Sequence, residues 1–121
     1  MQTLVKKLFA LSPDVRYVAV YVDGRLDSAE KPGLAGASAA ESDRYEELIV
    51  NPSLLTMTRQ RGAIDCGGLE YVLIRYGNFF QLVHPVRGGH VSVAVESHGV
   101  PLEIGVAVRR VLTDAGLLPA A

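Results

Sequence analysis

Hydrophobic and polar positions follow two rhythms along this chain, and each change of rhythm marks an element. Residues 2–11 place Leu4, Val5, Leu8 and Phe9 at helical spacing, with Gln2, Lys6 and Lys7 opposite, which predicts a short helix. Ser12-Pro13-Asp14 ends it, because the residue before a proline is driven out of α geometry. Residues 16–22 (RYVAVYV) read as a strand, and Asp23-Gly24 is the pair that a two-residue type I′ hairpin requires. Residues 25–29 return as a second strand, short and polar enough for a sheet edge.

From residue 30 to 41 the texture shifts to Gly, Ala, Pro and Ser, and residues 31–39 are expected to form a mobile loop. What precedes it is too small to fold alone, so the loop is not a domain linker. Ser42-Asp43 reads as a helix N-cap, and Glu46-Glu47 suits the positive end of the helix dipole. Tyr45, Leu48 and Ile49 share one side of this helix until Asn51-Pro52 interrupts. A proline inside a helix removes a hydrogen bond and clashes with the preceding turn, at a cost of about 3 kcal/mol. Two abutting helical pieces, or one kinked helix, are therefore expected. The second piece carries Leu54, Leu55 and Thr58 on one side and stops at Gly62, and residues 63–68 turn into the next element.

Residues 69–96 (LEYVLIRYGNFFQLVHPVRGGHVSVAVE) hold three runs rich in β-branched and aromatic residues, at 71–76, 79–86 and 91–96. Gly77-Asn78 and Gly88-Gly89 can supply the positive φ angles of two tight turns, so the stretch is a three-stranded antiparallel meander. Pro85 cannot donate to a ladder, and the middle strand is expected to bulge or end near it. The first meander strand is apolar on both sides, Val72, Ile74 and Tyr76 against Tyr71 and Leu73, which asks for cover on both faces of the sheet. After the loop at Ser97-His98-Gly99, Pro101 opens a last helix. Leu102, Ile104, Ala107, Val108, Val111, Leu112 and Ala115 form its apolar face, and Gly116 is its stop. The whole is an α+β domain over residues 1–121: a five-stranded antiparallel sheet with helices on both faces, in the order α-β-β-α-β-β-β-α. Two helices cover one face and the middle helix covers the other.

Composition narrows the function. Hydrophobic residues at 49% and charged residues at 21% are those of a globular chain. Twelve basic against thirteen acidic residues remove the main argument for nucleic acid, which wants a basic face. Lys6-Lys7 splits the N-terminal apolar run below the length of a signal-peptide core, and no stretch approaches a bilayer span. The single cysteine, Cys66, excludes an internal disulfide and fits a reducing compartment, so a cytoplasmic protein without membrane insertion is expected.

Little in the chain points to chemistry. Cys66 before Gly67-Gly68 could be an exposed thiol, but a nucleophile needs a base, and no His is close in sequence. His84, His90 and His98 are near one another in sequence, whereas zinc needs ligands that converge. With Gly88-Gly89 as the turn, Val93 would face His84 and Arg87 would face His90, which keeps the histidines apart. No glycine pattern forms a phosphate loop. No catalytic residue, metal or cofactor is expected. Arg59 and Arg61, placed at the end of the middle helix, complement its dipole and are also candidates for docking a partner's carboxylates.

The RYVAVYVDG hairpin, the middle helix, the segment YVLIRYGNFFQLVHPVRGGHVSVAVE and the closing IGVAVRRVL together resemble the Roadblock/dynein light chain family, over almost the whole chain. Asn51-Pro52 and the Gly/Ala-rich loop depart from its usual pattern. The resemblance implies a non-enzymatic module that forms homodimers or heterodimers by pairing middle helices and the first edge strand of the meander. It also implies a regulator or scaffold of a partner protein, small Ras-like GTPases among them. In this chain the pairing would use Tyr45, Leu48, Ile49 and Leu55 of the helix and Tyr71, Leu73 and Arg75 of the strand. Residues 71–75 form an apolar, proline-free strand at a sheet edge, and such an edge needs a cover. Two other classes remain: a small-ligand sensor of PAS-like or profilin-like shape, using the space between sheet and middle helix, and an enzyme built on Cys66.

Overall fold

The computed structural model describes residues 2–32 and 40–118. An N-terminal helix (Gln2–Phe9) leads into β1 (Val15–Val22) and β2 (Arg25–Glu30). A middle helix spans residues 40–65, followed by β3 (Val72–Arg75), β4 (Phe79–Val86), β5 (Gly89–Glu96) and a C-terminal helix (Pro101–Asp114). The strands form one antiparallel sheet in the order β2-β1-β5-β4-β3. The α+β class, the element order and the meander are those the periodicity predicts. Both β2 and β3 lie at edges. Of the expected loop at 31–39, residues 33–39 lie outside the described residues.

Strand alternation divides the sheet into two unlike faces. Val18, Val20, Val91, Val93, Val95 and Leu82 point to one side, where Leu4, Val5 and Leu8 of the N-terminal helix and Ile104, Val108 and Leu112 of the C-terminal helix close the apolar core. The other side of the same strands carries Tyr17, Gln81, His90 and Ser92, and the middle helix lies over it. The helices therefore divide two and one, as the doubly apolar strand suggested.

Several local expectations need correction. Asp23 and Gly24 have φ of 54° and 80°, as a type I′ turn requires, but neither Gly77 nor Asn78 has positive φ. Their turn is closed instead by the Tyr76 N–H donating to the Phe79 carbonyl at 2.9 Å. The second turn is Arg87-Gly88, with only Gly88 at positive φ. Gly89 belongs to β5, where the Tyr21 carbonyl oxygen would lie 1.8 Å from any Cβ. This moves the register by two residues, so Val91 faces His84 and Pro85 faces His90. Pro85 neither ends nor bulges the strand: β3 pairs only as far as Val83, so β4 has a single neighbour at Pro85. In the C-terminal helix Leu102 is 56% exposed, because the inward positions are Ile104, Gly105, Val108 and Leu112.

The middle helix is neither split nor capped at Ser42-Asp43. It starts at Ala40, and two α-helical stretches, Ala40–Tyr45 and Asn51–Asp65, are joined by a π turn at Glu46–Val50, where the Asn51 N–H reaches the Glu46 carbonyl five residues back. The extra residue widens the helix where the Pro52 ring would otherwise strike the carbonyl four residues behind it, so the helix continues through the proline. Gly62 does not stop it either. Its carbonyl accepts from the Cys66 and Gly68 N–H groups, and its missing side chain lets the chain at Gly68-Leu69 fold back against it.

Candidate functional site

The inner side of the middle helix presents Glu47, Asn51 and Leu55, all buried, at a spacing of four residues. An ordinary α-helix would rotate that series steadily off the sheet, whereas the π turn holds it in line. The Glu47 carboxylate is fully buried and is held by four side chains. Ser92 Oγ donates at 2.7 Å, Tyr17 Oη at 3.1 Å and Asn51 Nδ2 at 3.0 Å, while His90 Nε2 lies 2.8 Å away. A buried carboxylate is tolerable only when its oxygens are satisfied in this way. Burial and the adjacent Glu47 push the Tyr17 hydroxyl far above the usual phenol range, so it stays a donor.

Beside this cluster the helix stands off the sheet and leaves a cavity of about 460 Å³. Asp43, Glu46 and Glu47 line it from the helix, and Tyr17, Phe79 and Gln81 from the strands. A bulge at Arg16, between the pairs Val15–Val95 and Tyr17–Ala94, brings that arginine to the rim, where it bonds Glu96 at 3.1 Å and lies 5.0 Å from the centre of the Phe79 ring. Burial and the nearby Glu30, Glu47 and Glu46 raise Asp43 to about 6. Burial also raises Glu46, although the Tyr76 hydroxyl donates to it at 2.8 Å. Burial, with the same Glu46, pushes Tyr76 up to about 12.

The outer side of the helix carries exposed apolar side chains among polar ones, and the first of them, Tyr45, also lines the cavity. Tyr45, Ile49, Met57 and Ile64 are 62%, 52%, 61% and 75% exposed. Tyr45 and Ile49 therefore lie where a partner helix could reach them, and Leu48 is half-buried. Leu55 does not join them: it is 5% exposed and faces the sheet. The π turn shifts everything after it by roughly one residue's rotation relative to a continuous α-helix, so a face read across Asn51-Pro52 at the α period mixes outward and inward positions. Met57 and Ile64 are the outward residues that this shift hid from the sequence reading.

Tyr71, which immediately precedes β3, and Leu73 and Arg75 of β3 were expected to accompany the helix but sit on the opposite side of the sheet. Leu73 pairs with Leu82 of the core face and is 39% exposed. Tyr71 stacks on His84 with 5.1 Å between ring centres, and the Arg75 guanidinium lies 4.7 Å from the centre of the Phe80 ring. The structure thus does not bring these three side chains together with Tyr45 and Ile49. Among the described residues β3 has an unpaired backbone edge, with Val72 and Ile74 half-buried toward the helix side.

The remaining candidates are scattered. Arg59 and Arg61 are exposed, and Arg61 donates to Asp65 at 2.6 Å on the helix surface. The helix runs on to Asp65, so both arginines lie short of its last turn and do not cap the dipole as expected. Cys66 is exposed and donates weakly to Asp65. His90 bonds Glu47, His98 lies 3.0 Å from Asp14, and His84 is sealed in the apolar layer on the far side of the sheet from His90.

No family model and no curated protein sequence matches the chain. Solved structures do. A Roadblock/LC7 domain from Streptomyces avermitilis superimposes with a TM-score of 0.73 at 12% identity, covering 96% of this chain and 94% of that one. The fold is Roadblock-like. MglC from Myxococcus xanthus superimposes with a TM-score of 0.58 at 14% identity, covering 94% of this chain and 93% of that one. The resemblance read from the hairpin and meander thus extends to the three-dimensional arrangement. Among the described residues, no helix is long and apolar enough to cross a membrane.

Proposed function

We propose that this chain is a non-enzymatic protein-interaction module that acts as a homodimer in a reducing, cytoplasmic compartment and regulates or scaffolds a partner protein, with a small Ras-like GTPase as the expected class. The observation that supports this most is the row of exposed Tyr45, Ile49, Met57 and Ile64 on the middle helix, in a Roadblock-like fold whose edge strand β3 has, among the described residues, no neighbour on one side. Covering these side chains in two protomers yields on the order of 10 kcal/mol at about 1.5 kcal/mol each. Loss of translational and rotational freedom on association is of similar size. The helix row alone therefore gives a weak dimer, and ladder bonds along β3 would supply the surplus.

Sedimentation of the wild-type chain and of Ile49→Glu and Met57→Glu tests the dimer. The wild type should sediment as a dimer at micromolar concentration and both variants as folded monomers. A wild-type monomer at those concentrations would remove the module as proposed. Arg59 and Arg61 remain the proposed contacts for the partner, and Arg59→Ala with Arg61→Ala should weaken GTPase binding while leaving the dimer intact. A second reading, a small-ligand sensor, is favoured by one observation: the cavity lies between the sheet and the middle helix, where such a domain would hold its ligand.

A further inference from the structure

The cavity beneath the first half of the middle helix is short of positive charge. Glu30, Asp43, Glu46 and Glu47 all line it, and Arg16 is the one cation that does so among the described residues. That arginine is committed to Glu96, as is the Lys31 ammonium, 3.8 Å from the same carboxylate. The connecting residues 33–39 (GLAGASA) contain no Lys, Arg or His, so this stretch cannot supply the missing charge. Glu47 is satisfied by its four internal partners and Glu46 by Tyr76, which leaves Glu30 and Asp43 facing one another's field.

A second feature is independent of the carboxylates. Gln81 lines the cavity at 2% exposure, and among the described residues its side-chain amide makes no hydrogen bond. That amide is not sealed off as the His84 ring is; it opens onto the cavity, where a ligand carrying polar hydrogens can bond its carbonyl oxygen. Around it stand Tyr17, Tyr76 and Phe79, whose ring faces attract cations and shelter an apolar stem. The volume of about 460 Å³ lies within the range of small-molecule sites.

We propose that this cavity binds an organic cation, an alkylammonium or guanidinium group on an apolar stem, with its charge between Asp43 and Glu30, its stem against Tyr17 and Phe79, and one N–H donated to the Gln81 carbonyl oxygen. Such a group can come from a free amine or from a Lys or Arg side chain of a partner polypeptide. The inference rests on the sensor reading of the cavity and not on the dimer.

The test is calorimetric titration of the full chain with cadaverine and agmatine, and with a Gly/Ser peptide carrying one central Arg, alongside glutarate as the anionic control. At least one cation should saturate one site per chain, glutarate should not bind, and Asp43→Asn and Gln81→Leu should each weaken binding about tenfold or more. Asp43→Asn removes a half-buried charge and is not expected to impair folding, which circular dichroism verifies. A peptide that binds about tenfold tighter than agmatine points to a partner's side chain, and the reverse order to a free amine. No saturation by any cation up to about 10 mM, or variants that bind like the wild type, overturns the proposal. Repeating the titration on Ile49→Glu separates loss of the dimer from loss of the site.

Discussion

His84 offers the sharpest measurement of how this fold is held together. Its imidazole is fully buried between the sheet and the C-terminal helix, against Tyr71, and among the described residues neither ring nitrogen has a hydrogen-bond partner. Burial, and secondarily the Arg109 charge, lowers its pKa from 6.5 to about 3. The unfolded chain therefore binds a proton on His84 that the folded chain refuses throughout the interval from about 6.5 down to about 3. The contribution of neutral His84 is complete above pH 6.5 and is lost as pH falls. Each unit is worth about 1.4 kcal/mol, so the loss reaches about 2 kcal/mol between pH 7 and pH 5 and about 4 kcal/mol by pH 3. His84→Leu removes the titrating group and two buried polar atoms together. Urea unfolding should find it more stable than wild type by about 1–3 kcal/mol at pH 7. The margin should widen by about 2 kcal/mol at pH 5. Parallel pH profiles for the two proteins would refute the reasoning, since they would mean that the imidazole is protonated as readily in the folded state as in the unfolded one.

Three further outcomes follow from the cavity side of the sheet and from the hairpin crossing. Asp43 titrates in the opposite sense: its folded pKa is raised from 3.8 to about 6, so its ionisation weakens the fold as pH rises through that window. Asp43→Asn should gain about 1 kcal/mol at pH 7, after allowance for solvent screening, and nothing at pH 3.5. Equal gains at both values would contradict the cause. Glu47→Ala strands the donors of Tyr17, Asn51 and Ser92 and leaves His90 without its acceptor, and should lose about 3–5 kcal/mol in denaturant melts. A loss below about 1 kcal/mol would show that water replaces the carboxylate. Gly89→Ala must move the Tyr21 backbone and should lose at least about 3 kcal/mol, whereas a near-neutral result would mean that β1 and β5 separate there at little cost.

The elements were legible because their apolar rhythms are strong. Val18, Val20 and Val22 on β1 and Val91, Val93 and Val95 on β5 leave no other register for the core face. The resemblance to the Roadblock fold followed from that order. The polar layer was not recognised, although its signal was present. His90, Ser92 and Glu96 alternate with the valines of β5, and Tyr17 and Tyr21 with those of β1. A strand buried on both sides whose second face is polar needs a hydrogen-bonding residue on whatever covers it, and Glu47 is that residue. Read alone it looked like a helix-dipole residue, because the pairing that gives it four partners spans 30 to 45 positions of sequence, apart from Asn51 one turn away. The hairpin at residues 77 and 78 misled for a different reason. Residue types that permit positive φ do not compel it, and the Tyr76–Phe79 bond closes that turn without it.

The π turn at Glu46–Val50 also changes how this chain is to be matched with others. Set beside a straight α-helix of equal span, it carries one residue more, so a correct correspondence needs a one-residue gap inside the helix, not in a loop. Without that gap, every position from Asn51 to Asp65 is paired with its neighbour's counterpart. Inward Leu55 then takes the place of an outward residue, and Met57 and Ile64 disappear from the comparison. Helices are where gaps are least tolerated in such comparisons. A procedure that forbids them there would find the sheet of this protein and misplace the exposed apolar residues of its middle helix.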